Sequence, residues 1–329
     1  MQQLSRHLLI LLFITTLLVS CKKSLDVNAD WKDVTVVYGI LNQSDTIHYI
    51  KITKAFLGPG DALEYAKNPD SSNYPDILKV SLNEYTNGNP GRKIMLRDTL
   101  ITNKDSGIFY FPVQKLFYSK EKLSELKDYK LTIIDTVTSK TIEASTKMIT
   151  EFPLEKPAYL PGVIMVPNRG SDVQWVTPSG GKRFQLTIRI YYSEFRKGDS
   201  AKTFHKLDWL VFNNVKSFYD NGGQTITYTI PGVLFYEFLE SKLIPDPDIE
   251  RSLGNCDYIF FVGSGALDTY LEVADYSNFI AGPITAFSNI TNGVGLFASR
   301  HAVSFDTIQF ADITKDSLKT NSHTKNLGF

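Results

Sequence analysis

Residues 183–192 alternate without a break. Phe184, Leu186, Ile188, Ile190 and Tyr192 fall on one side of an extended chain, and Arg183, Gln185, Thr187, Arg189 and Tyr191 on the other. Successive side chains of a strand point to opposite faces, so this period of two marks a strand with one buried face. On a helix the same five apolar residues would spread around most of the circumference and could not be buried together. Shorter runs of strand character recur at 34–40, 46–54, 78–83, 93–100, 107–111, 129–134, 142–148, 224–230 and 257–262, and a last one begins at 293–297 and continues through 310. Turn residues separate them, most densely in Asn87-Gly-Asn-Pro-Gly91 and Asn221-Gly-Gly223. Strands at this spacing indicate sandwiches and not βαβ units.

The chain is therefore expected to be mainly β, with two β-sandwich-like domains in tandem at 31–152 and 153–317. Pro153 and Pro157 end the first run of strands and mark the boundary. A short helical turn is expected at 61–67 and a short helix at 115–127. The second domain should hold one helix after Pro231, where Leu234, Phe235, Phe238 and Leu239 recur at helical spacing and Pro245 lies just beyond the end. Residues 318–329 are polar and are expected to form a loose tail. No repeat of fixed period is present, which argues against a propeller or solenoid.

Composition narrows the function classes. Over 329 residues, 43% hydrophobic and 21% charged is the balance of a folded globular chain. The 35 Lys and Arg are matched by 35 Asp and Glu, with no clustered basic surface of the kind nucleic acid requires. The aromatic content is mostly Phe and Tyr, residues that fill sheet cores.

Residues 1–20 stand apart from both domains. Arg6, beside His7, gives a positive start, residues 8–19 a short apolar run, and Ser20 a small residue before a cleavage point, the three parts of a secretory signal. The run is shorter than the roughly 20 apolar residues a spanning helix needs. It closes on Leu18-Val19-Ser20-Cys21, which resembles the lipobox of bacterial lipoproteins. That resemblance implies cleavage before Cys21 and attachment of acyl chains, palmitate among them, to Cys21, with 21–30 as a tether. Several acyl chains hold a protein stably where one holds it only weakly. Lys22 is not the Asp that retains lipoproteins of this kind in the inner membrane, so the resemblance implies the outer membrane.

No catalytic, cofactor or metal residues can be named. The nucleophile-elbow pattern is absent, and Gly263-Ser-Gly-Ala-Leu-Asp268 reads as a turn, not a dinucleotide loop. His48, His205, His301 and His323 are far apart, without metal-ligand spacing. Asp246-Pro-Asp248 offers oxygen donors but lacks the third acid, the glycine and the closing glutamate of a calcium loop. Cys256 sits in an apolar run and reads as a buried, inert thiol with no disulfide partner.

Residues 283–300, with their proline, Ser-Asn-Ile, Asn-Gly and Gly-Leu-Phe, resemble the closing signature of an envelope lipoprotein family catalogued as domain of unknown function forty-two forty-nine. The layout is similar too: a lipobox, an immunoglobulin-like or transthyretin-like N-terminal sandwich, then a second β domain whose helix, here 236–243, precedes the signature. Membership implies a Gram-negative envelope lipoprotein, often associated with TonB-dependent outer-membrane transporters, and brings no catalytic residues. The glycines of Asn292-Gly-Val-Gly295 suggest a bulge or a close backbone approach. The leading expectation is a non-catalytic binding or accessory module of the outer membrane, attached through Cys21 and partnered by the membrane and a transporter. A hydrolase assembled from distant residues and a structural envelope protein are the alternatives.

Overall fold

The computed structural model describes residues 34–55, 64, 66–107, 110–158, 161–199, 201–277 and 287–329. Cys21, the leader and the tether lie outside the described residues, as do most of the turn expected at 61–67, part of the strand expected at 107–111 and the start of the 283–300 signature.

The alternating run at 183–192 lies within β11 (Arg183–Arg196), which pairs antiparallel with β12 (Thr203–Lys216) on one side and β14 (Ile249–Gly263) on the other. β14 pairs with β15 (Gly293–Gln309), and β15 runs parallel to β1 (Val34–Leu41). From β1 the sheet continues through β2 (His48–Ala55), β6 (Gln114–Ser119) and β5 (Arg97–Ile101), giving eight strands in the order β12-β11-β14-β15-β1-β2-β6-β5.

Two smaller sheets cover one face of this long one. β4 (Asn89–Met95), β3 (Leu78–Thr86), β7 (Asp128–Asp135) and β8 (Thr141–Lys147) lie over the N-terminal end. Val37, Leu41, Ile50, Ile52 and Phe117 bury against Val80, Leu82, Leu131, Ile133 and Ile142 there. β13 (Thr225–Pro231), β10 (Gly170–Val176) and β9 (Leu154–Lys156) cover the other end, where Phe184, Leu186, Ile188, Tyr258 and Phe260 meet Val173, Trp175 and Ile230. Each half is thus a sandwich held by apolar burial worth about 25 cal/mol per Å².

The 17-residue β15 serves both halves: residues 293–299 pair with β1, and 300–309 with β14. The first sandwich is therefore completed by a strand from near the C-terminus, and the sheet passes through the 152/153 boundary. The signature residues explain how. Asn289 donates from Nδ2 to the Phe297 carbonyl (2.6 Å) and accepts the Phe297 N–H at Oδ1 (2.9 Å), standing in for a neighbouring strand. The Ser288 hydroxyl accepts from the Ile290 and Gly295 amides, and Asn292 Nδ2 reaches the Thr141 carbonyl at 2.9 Å. Gly295 has φ +121°, and a Cβ there would lie 2.0 Å from the Val37 carbonyl oxygen, so only glycine allows this approach. The signature builds a joint between the halves.

Four helices are described, three of them in the second half, where one was expected. α1 (Pro69–Ser72) is short, and α2 (Val233–Lys242) is the helix foreseen after Pro231, with Phe235, Tyr236 and Leu239 buried. α3 (Gly265–Ser277) begins where a turn was expected. α4 (Asp312–Thr320) and the residues after it correct the loose tail, because Leu318, Thr324 and Leu327 are buried. Arg251 holds that end: its backbone N–H donates to the Gly328 carbonyl, and Nη1 and Nη2 donate to the Leu327 and Ile244 carbonyls. The helix expected at 115–127 is also corrected. Its first residues form β6 between β2 and β5, with Leu116, Phe117 and Ser119 buried.

Candidate functional site

The small sheets cover one face of the eight-stranded sheet, and α3 lies on the other. The Ser264 carbonyl accepts the first helical N–H, from Asp268, and Tyr270 meets Tyr38 of β1 edge-on with ring centres 6.4 Å apart. α3 therefore divides the outer face into two regions, each with a cavity.

The first, about 510 Å³, lies beside α3 where the two halves join. Its floor follows from strand register: Gln185, Phe261 and Ala302 form one cross-strand row, and Arg183, Gly263 and Arg300 the next. Leu267 of α3 packs over Gly263 between the two arginine positions, where a Cβ would lie 3.1 Å from its Cδ2. Leu267 and Leu271 of α3 wall one side, and Asn42 and Asn213 add amides. Under the helix lies a charge network. Arg183 is 3.6 Å from Asp268 and 4.0 Å from Asp275, while Lys216 bonds Asp268 at 3.0 Å and also pairs with Glu272. The Arg183 and Asp268 side chains are only 11% and 6% exposed. Arg183 Nη1 and Asp268 Oδ1 are both buried and form an ion pair longer than a hydrogen bond. Such a mixture of apolar wall and a few converging polar groups suits a ligand or a partner's side chains.

The hydroxyl and thiol candidates near the site are committed elsewhere. Ser264 Oγ accepts the Ser299 N–H at 3.2 Å, and the Ser299 hydroxyl donates to the Lys147 carbonyl. Burial, with Asp257 adding to it, pushes the Cys256 thiol well above its ordinary value, so the nucleophilic thiolate is disfavoured. The four histidines do not converge: His301 Nε2 contacts Glu151 at 3.0 Å, His323 contacts Glu240 at 2.6 Å, His205 stacks on Tyr192, and His48 is buried. Among the described residues no three His, Cys, Asp or Glu side chains are grouped to hold a metal ion. Asp246 and Asp248 pair with Arg196 at 3.5 and 3.6 Å. The Asn292–Gly295 glycines are used in packing against β1, and Cys21 lies outside the described residues.

The second cavity, about 450 Å³, opens at the N-terminal end of the same face. Lys51, Lys54 and Lys104 line it together with Tyr38, Tyr110, Val36 and Val113. Sequence reading missed both cavities, because their residues come from segments more than a hundred positions apart or from loops without a motif.

No helix among the described residues is long and apolar enough to cross a membrane. No family model matches the chain, and the search of curated proteins returns no match.

Proposed function

We propose that this chain is a lipid-anchored module of the bacterial outer membrane that binds and does not catalyse, engaging a partner through the outer face of its eight-stranded sheet. The observation that carries the binding half is the cavity beside α3, to which both sandwiches contribute and which Arg183 and Arg300 line together with Phe261, Leu267 and Leu271. The anchor is supported by the leader and the Leu-Val-Ser-Cys21 sequence. The non-catalytic reading is supported by the engaged state of Ser264 and Cys256. The resemblance of the 283–300 signature favours an outer-membrane transporter as partner.

Mild detergent extraction of the native envelope tests the proposal. Wild-type protein should migrate in a discrete larger assembly. Phe261→Glu, at a 46% exposed position on the cavity floor, should release it, whereas Leu126→Glu, at a 72% exposed position on the N-terminal sandwich, should not. Recovery of the wild-type chain always alone, or equal behaviour of the two variants, would sink the reading.

A further inference from the structure

Of the edges of the described sheets, all but one are short or guarded. β5 has five residues and β9 three, β4 carries Pro90 and Gly91, β13 ends on Pro231, and Glu143 of β8 is bridged to Thr291. β12 has 14 residues without proline or glycine, and among the described residues no strand pairs with it on the side away from β11. Its outward backbone N–H and C=O groups are left for solvent or another chain, the exposure that edge strands ordinarily suppress. From Thr203 to Leu210 β12 follows β11 without a shift, the irregularities lying beyond Leu210.

Phe204, Lys206, Asp208 and Leu210 stand opposite Ser193, Tyr191, Arg189 and Thr187, so all four share the outer face of the sheet. All are exposed, Phe204 at 82% and Leu210 at 52%. Arg189 holds Asp208 through bonds of 2.7 and 2.9 Å, which fixes a carboxylate at the edge and leaves it lone pairs. Along the strand the four run apolar, basic, acidic, apolar, and in reverse apolar, acidic, basic, apolar. Laid antiparallel on its own copy with Leu207 opposite Leu207, Phe204 meets Leu210 and Lys206 meets Asp208, each twice. Opposite charges and apolar pairs placed so across strands are favourable. A shift of two residues either way sets Lys206 or Asp208 against itself, and a slip of one sets outward residues against inward ones. One register satisfies the whole row.

We infer that β12 pairs with β12 of a second copy of this chain, antiparallel and centred on Leu207, joining the two eight-stranded sheets into one. The twofold axis is normal to the joined sheet, so both outer faces point the same way. The pairing is independent of the cavity beside α3: a partner held there adds a different chain, whereas this contact doubles the chain itself.

Light scattering of the full chain in mild detergent, corrected for bound detergent, should give twice the chain mass. Lys206→Asp, which sets two like-charged pairs across the axis, should weaken the pairing by about tenfold or more, and Lys93→Asp, at an exposed position on β4, should leave it unchanged. Oxidative cross-linking tests the register. Directly opposite residues have Cα atoms about 5 Å apart, within reach of a disulfide, whereas Phe204 and its own copy would lie about 20 Å apart. Phe204→Cys/Leu210→Cys should therefore give a linked dimer, and neither single variant nor the wild type should. A single chain mass throughout, linkage in either single variant at the level of the double, or linkage of these cysteines to a different polypeptide overturns the proposal.

Discussion

The two cavities share one face of one sheet and differ in the partners their described charges meet. Beside α3, Arg183 and Lys216 are answered by Asp268, Glu272 and Asp275 from the helix laid over them. At the N-terminal end, Lys51, Lys54 and Lys104 meet carbonyl oxygens, an aromatic ring and one another. Charges that meet opposite charges inside the protein hold the fold together, whereas like charges set close to one another weaken it slightly. The contrast is not one of composition between the halves. The N-terminal sandwich also contains a paired charge, Glu84, which accepts from Arg92 at 2.9 Å and from the Tyr129 hydroxyl at 3.1 Å.

Removing one answering charge should break the contrast most visibly. Asp268→Ala leaves Arg183 and Lys216 beneath α3 with only the more exposed Glu272 and Asp275, and breaking a pair this buried costs about 3 kcal/mol. Urea unfolding should show that loss; a loss below about 1 kcal/mol would mean that the network does not hold the helix. Tyr129→Phe should have a smaller effect, about 1 kcal/mol at neutral pH, from the lost hydroxyl bonds to Glu84 and the Ser124 amide. It carries a pH signature as well. Burial, reinforced by the Glu84 charge, pushes the Tyr129 phenol from 10.0 up to about 12. The unfolded chain loses that proton first, so its contribution is present below pH 10 and is lost as pH rises toward 12. The wild type should therefore lose more stability than Tyr129→Phe across that interval, and parallel curves would contradict the assignment.

The smallest effect is expected at the lysine cavity. Lys51→Met should leave stability within about 0.5 kcal/mol of wild type or raise it slightly, because the cation it removes is held against another. The ammonium's folded value lies below its ordinary 10.5, so between the two the unfolded chain binds more protons and wild-type stability rises with pH. That rise should be missing in Lys51→Met. A clear destabilisation by the substitution would place Lys51 with the structural charges and erase the difference between the cavities.

Much of the framework was legible because its signals are local. The alternation at 184–192 gave β11 its buried face, Asn87-Gly88 turns β3 into β4 with both residues at positive φ, and Pro231 precedes α2. What was missed depends on partners distant in the chain. Gly263 and Gly265 look like a turn until Arg183 and Lys216 supply cations to the acidic face of α3. The tail looks polar because Arg251, some seventy positions earlier, satisfies its carbonyls. β12 alternates, but register shifts against β11 interrupt its pattern and His205 occupies an inward position. A short helix was expected at 115–127, while the pairing of β6 with β2 and β5 decided otherwise for its first residues. The cavities were illegible for the same reason: Lys51 and Lys104 belong to different strands and loops, and no spacing in the chain connects them.

The proposed attachment to a membrane rests on Cys21, and the terminus of the mature chain is where that proposal is decided. Intact-mass measurement of the protein purified from its own membranes tests it most directly. The expected result is a chain beginning at Cys21 and heavier than its sequence by acyl groups. A mature chain that starts elsewhere, or one that starts at Cys21 without added mass, would contradict it.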